Sequence, residues 1–139
     1  MQQAAVLALL GEAYLFAGHV DEASTTAQRA LALATERGQR GDAAAALYVL
    51  GEAAAHDSLD IGKAEHHYLA AIALAGELAM RPLLARCHLG VGRLYVRAGD
   101  RDRAEEHLLT ATRLFIAMDM PLWLRQAASS LSELGITVE

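Results

Sequence analysis

The sequence predicts an all-α protein: a right-handed α-solenoid of three helix-turn-helix repeats, period about 40, closed by a C-terminal capping helix to make seven helices. Three observations predict it. The composition is 54% hydrophobic but only 5% aromatic, with about 30 alanines and two prolines; small residues at this density suit closely packed helices, and alanine is the best helix former. Apolar residues recur at spacings of three and four, the mark of one buried helical face. Most telling, "LGEAYLFAGHVDEASTTAQRAL", "LGEAAAHDSLDIGKAEHHYLAAI" and "VGRLYVRAGDRDRAEEHLLTAT" align. Their glycines Gly11, Gly51 and Gly92 are spaced 40 and 41, while Ala23, Ala64, Ala104 and Ala30, Ala71, Ala111 are spaced 41 and 40.

The chain divides into repeat 1 (2–40), repeat 2 (41–80), repeat 3 (81–119) and a capping helix (120–135). In repeat 1, Leu7, Leu10, Tyr14 and Ala17 form the expected buried face of the first helix, and Gly18 breaks it. Asp21 and Glu22 open the second helix, where the dipole favours carboxylates. Its apolar line is Ala23, Ala27, Ala30, Leu31 and Ala34; Gly38 and Gly41 are expected to end it, with Asp42 as the next cap. Repeat 2 has one extra residue in "AHDSLDIG" and lacks the turn glycine there. Repeat 3 opens at Arg81-Pro82, with proline tolerated in a first turn. Gly99 ends its first helix and Asp100 caps its second, so the arginine-rich "GRLYVRAGDRDRA" is a joint between helices. Pro121 and Arg125 repeat Pro82 and Arg86 at a spacing of 39, placing Met120–Leu134 as the capping helix, with Gly135 as its stop and "ITVE" as a loose tail. The patch "LFIAMDMPLW" is expected to pack the joint between the sixth and seventh helices.

Several function classes are disfavoured. At 139 residues the chain fits one domain, burying roughly two-thirds of its unfolded surface. A net charge of −5 offers no overall basic character for nucleic acid. One cysteine, Cys87, leaves no internal disulfide and fits a reducing cytoplasm. The start has no basic region of a signal peptide, and no charge-free apolar run of about 18 residues would span a membrane. The chain opens directly into helix and is compatible with being a piece of a larger protein.

No motif argues for catalysis, a cofactor or a metal. "LGVGRLY" has Gly-x-Gly, but Tyr95 stands where a dinucleotide fingerprint needs its third glycine, and no strand precedes it. Gly90 and Gly92 instead suit close helix contact. Glu65, His66 and His67 are adjacent and diverge by about 100° on a helix; His67 and His107 hold equivalent repeat positions and are expected to lie near each other as packed or solvated histidines. Ser129 and Ser130 lack the strand-turn-helix of a nucleophile elbow. The pairs Asp21-Glu22 and Glu105-Glu106 sit near helix starts, where the dipole accounts for them. The residues Arg86, Arg93 and Arg97, spaced seven and four, form one stripe on a helix.

These residues resemble the tetratricopeptide repeat family, whose pattern is a 34-residue helix-turn-helix. Repeat 1 carries it as Leu10, Gly11, Tyr14, Gly18, Ala23, Ala27 and Ala30; repeat 2 as Leu50, Gly51, Ala64, Tyr68 and Ala71; repeat 3 as Gly92, Tyr95, Gly99, Ala104, Leu108 and Ala111. The longer period departs from the family and implies longer second helices or loops. The stretch "AGDRDRAEEHLLTATRLFIAMDMPLWLRQA" is similar to the C-terminal repeat region of large bacterial signalling ATPases linked to cyclase or transcription-regulator domains.

The resemblance implies a non-enzymatic scaffold whose first helices line a concave, peptide-binding groove. Carried onto this chain, the groove receives Ala8, Glu12 and Leu15, then Tyr48, Glu52 and His56, then Arg86, Leu89, Arg93 and Arg97, and Arg125 from the capping helix. It is expected to be acidic at one end and basic at the other. Arginine forks suit carboxylates, so the expected partner is a protein or peptide with an acidic or C-terminal carboxylate group. The plain alternative is a solvated face with scattered ion pairs, such as Glu52 with Arg93. Two other functions stay open: homodimerisation through Val6, Leu9 and Leu10 on the first helix, and small-ligand sensing for a transcription regulator.

Overall fold

A computed structural model describes residues 3–56 and 60–138. Seven helices follow one another among the described residues: α1 (Gln3–Phe16), α2 (Val20–Arg37), α3 (Arg40–His56), α4 (Ile61–Glu77), α5 (Arg81–Ala98), α6 (Arg101–Ala117) and α7 (Pro121–Glu133). No strand occurs among the described residues. Each helix packs on the next, and α1, α3, α5 and α7 also pack in series. The odd-numbered helices therefore form an inner layer, and α2, α4 and α6 an outer one. This is an all-α repeat solenoid.

The repeat glycines are sockets. An added Cβ at Gly51 would lie 2.9 Å from Tyr68 Cδ1, and one at Gly92 would lie 2.7 Å from Leu108 Cδ2. The same socket in repeat 1 faces Ala27 at 3.8 Å, and Val49 of the next repeat at 3.1 Å. So each glycine admits the side chain 16 or 17 residues later, on the partner helix of its own hairpin. Flanking alanines let the helices approach: Ala23, Ala64, Ala104, Ala30, Ala71 and Ala111 are all fully buried.

Helix ends are as periodic as the cores. Gly18, Gly38, Ala79, Gly99, Asp119 and Gly135 all take positive φ, between 54° and 84°. In each case the following N–H donates back to a carbonyl five residues earlier, as His19 does to Tyr14 and Met80 to Ala75, closing a Schellman turn. Asp60 and Asp100 then accept from the backbone N–H of Lys63 and Arg103, capping α4 and α6.

Three details depart from expectation, and a fourth expectation lies outside the described residues. Gly41 and Asp42 lie inside the first turn of α3, because the left-handed turn at Gly38 needs no second glycine and α3 starts at Arg40. On α1 the buried line is Ala4, Ala8 and Gly11, while Leu10 is 41% exposed and Ala17 is exposed; α1 packs only on α2 and α3, so Leu10 faces neither. The tail is not loose: Ile136 donates to the Leu131 carbonyl, and Ile136 and Val138 pack against the α5–α6–α7 core. The extra residue expected in repeat 2 falls around 57–59, outside the described residues.

Candidate partner-binding groove

The four inner helices each turn one face toward a shared groove of about 680 Å³. From α1 come Glu12, Leu15 and Phe16; from α3, Tyr48, Glu52, Ala55 and His56. Arg86, Gly90, Arg93, Leu94 and Arg97 come from α5, and Trp123 and Gln126 from α7. Spacings of three and four on each helix bring these residues to one face. Tyr68 reaches the groove from the outer layer, through the gap that Gly51 and Gly90 leave.

Eight of the eleven residues carried onto the groove from the sequence line it: Glu12, Leu15, Tyr48, Glu52, His56, Arg86, Arg93 and Arg97. Arg125 does not. Trp123 and Gln126 share the inward face of α7, and Arg125, about 100° around the helix from Gln126, is exposed elsewhere. Ala8 and Leu89 are buried in the core, at 4% and 2% exposure, and do not line it either. Periodicity did not single out Phe16, Trp123 and Gln126. Phe16 sits at the last residue of α1, where helical phase is least informative. Trp123 has two roles: it stacks on Phe115 (6.0 Å between centroids) in the expected α6–α7 joint, and it faces the groove with its other side.

The charges are arranged unequally. Glu52 accepts hydrogen bonds from the Tyr48 hydroxyl (3.1 Å) and from the Tyr68 hydroxyl. Burial first, and the neighbouring Glu52 carboxylate second, push both phenol pKa values upward, so both remain donors at neutral pH. Burial, with Glu52 adding to it, also pushes the Cys87 thiol up to about 12; it is a buried, protonated packing residue.

Arg86 reaches across the groove to Glu12, with Nη2 2.6 Å from Oε1. Its guanidinium lies between the Tyr48 and Trp123 rings, 4.7 and 4.8 Å from their centroids. Arg93 does not pair with Glu52, whose oxygens are held by the two phenols. It donates instead to Ser130 Oγ (3.1 Å) and Gln126 Oε1 (3.2 Å). Arg97 donates to the Ala55 carbonyl at the end of α3. Among the described residues, then, both groove carboxylates are engaged internally, while Arg93 and Arg97 are held by neutral acceptors alone. The expected acidic end is masked, and the surplus charge along the groove is positive.

The histidines are arranged differently from expectation. His107 pairs with His88 of α5, Nδ1 to Nδ1 2.9 Å with rings stacked, rather than with His67. Position 107 faces α5 of its own hairpin, whereas His67 adjoins His66. Burial, and then His107, lower His88 to about 4, so this is a neutral donor–acceptor pair. No group of three or more metal-ligating side chains exists among the described residues. No described helix is long and apolar enough to cross a membrane.

No family model matches the chain, and no curated protein matches its sequence. Among solved structures, 16 chains match. One is RapI in its apo form, with a TM-score of 0.83 over 95% of this chain, at 19% identity. The match covers 48% of RapI, so this chain spans about half of RapI's length. The likeness shows a tetratricopeptide-like helical repeat fold.

Proposed function

We propose that the protein is an interaction scaffold that binds an acidic segment of a partner protein in the groove of its inner helices. The observation that carries this is the pair Arg93 and Arg97, one turn apart on the concave face, with no carboxylate partner among the described residues. Guanidinium forks without a counter-ion favour carboxylates. Apolar contact is available beside them: Phe16 is 98% exposed on the rim, and Leu15 and Trp123 line the wall. The groove's 680 Å³ matches roughly one and a half turns of a helix about 10 Å across with its side chains, so a short segment fills it. The similarity to signalling ATPases would make this chain the cytoplasmic binding region of a longer signalling protein, with the catalytic parts elsewhere.

Charge reversal at Arg93 tests the reading. Arg93→Glu should weaken binding of acidic peptides at least tenfold, increasingly so at low salt, without change in helicity. Equal affinities for wild type and variant in a titration would remove the groove as the binding site.

A specific observation favours a second reading, self-association. Val6, Leu9 and Leu10 on α1 are 59%, 65% and 41% exposed and lie on one side of the helix. A dimer joined there would show a mass that rises with concentration, and Leu9→Glu would abolish the rise. The five charged residues among the groove's lining fit a small apolar ligand less well.

A further inference from the structure

Resting on the groove reading, one contact in it is out of place for a solenoid. Repeat proteins hold together by contacts between neighbours. The Glu12–Arg86 pair instead joins residues 74 apart in sequence, on α1 and α5, two helices that do not otherwise pack on each other. It crosses the open groove over the top of α3.

The pair is also incomplete. Glu12 meets only the Nη2 nitrogen of Arg86. The remaining contact of Nη2 is a 3.5 Å hydrogen bond to the Tyr48 hydroxyl. Nε is buried with no hydrogen-bond partner. A guanidinium normally engages a carboxylate through two parallel hydrogen bonds; here one resident oxygen does the work of two. The cation itself is well fixed, its faces covered by Tyr48 and Trp123. Glu12 is held by less: its carboxylate has no other hydrogen bond or ion pair among the described residues, and its side chain is 34% exposed. The two partners are thus unequal: a rigid cation and a replaceable anion, both on the wall of the groove. Glu52 has no such freedom, since two phenols hold it.

We infer that Glu12 is an internal stand-in for the partner's carboxylate: it occupies Arg86 in the empty groove and yields it when an acidic segment docks. Glu12 then sets specificity. A segment bearing a single carboxylate is served by Arg93 and Arg97 and leaves Glu12 in place. A segment with a second carboxylate must displace Glu12 to engage Arg86, and its affinity is reduced by that competition.

The experiment uses the full chain and a fluorescein-labelled hexaglutamate peptide, followed by anisotropy at low salt. Glu12→Gln keeps the shape and removes the competing charge. It should tighten binding about five- to tenfold. In the Arg86→Gln background the same substitution should change affinity less than twofold, because the contested cation is gone. Thermal unfolding of each variant confirms that the fold persists. Unchanged or weaker binding by Glu12→Gln, with wild-type binding still lost in Arg93→Glu, overturns this inference and leaves the groove reading standing. No binding of hexaglutamate by wild type or by Glu12→Gln removes both.

Discussion

Gly90→Ala pits helix propensity against packing, and the structure decides the sign. Alanine in a helix interior is favoured over glycine by about 1 kcal/mol, so propensity alone predicts a more stable protein. The new methyl, however, would lie 2.5 Å from Tyr68 Cε1 and 2.7 Å from Cζ, about 1 Å inside ordinary contact. The ring has no retreat. Gly51 crowds it as well, since a Cβ there would be 2.9 Å from Cδ1, and its hydroxyl is tied to Glu52. Overpacking of this kind costs about 1–3 kcal/mol and occasionally more; with the ring crowded at both glycines, we take ~3–4. The net expectation is destabilisation by ~2–3 kcal/mol, a fall in Tm of roughly 6–12 °C for a chain of this size. The control is Gly76→Ala, also within a helix, where nothing lies within 4 Å of the new methyl; it should raise Tm by a few degrees. Circular dichroism melts of both variants give the answer. If Gly90→Ala raises Tm as Gly76→Ala does, Tyr68 is not wedged between α3 and α5, and the account of how the inner layer is spaced is wrong.

Two further outcomes are expected. Ala79 holds a left-handed φ of 54° without being glycine, at the position that Gly38 fills in the previous repeat; Ala79→Gly should stabilise by about 0.5–1 kcal/mol in urea unfolding, and a loss of stability would show that the turn is not strained. Burial and His107 hold His88 near 4 in the folded state, against about 6.5 unfolded. The unfolded chain therefore binds the proton more readily, so this contribution is present above pH ~6.5 and lost as pH falls toward ~4; the urea midpoint of wild type should drop more over that range than that of His88→Gln, and parallel pH profiles would refute it.

Much of the architecture was readable because it depends on local rules repeated three times. Gly11, Gly51 and Gly92, with the buried alanines at Ala23, Ala64 and Ala104, keep step with the helix pairs that they space. A fourth marker in the same step, Gly38, Ala79 and Asp119, is not legible in the sequence because only one of the three is glycine. Their shared backbone conformation comes from the turn, and residue type reports it only in part. Eight of the eleven positions carried from repeat to repeat line the groove; Ala8 and Leu89 turn into the core instead, and Arg125 misses it because a register inherited from Pro82 and Pro121 does not fix how α7 rotates against α5.

The amino-acid order alone determined the number of helices and their pairing, since these follow from periodicity, propensity and turn chemistry within about 40 residues. Only the folded chain decided which charges meet. Glu12 finds Arg86 across 74 residues, and Glu52 is claimed by two phenols rather than by Arg93. The reason is reach: long polar side chains on three stacked helices have several partners within range, and the choice among them rests on separations and rotations that no single repeat encodes.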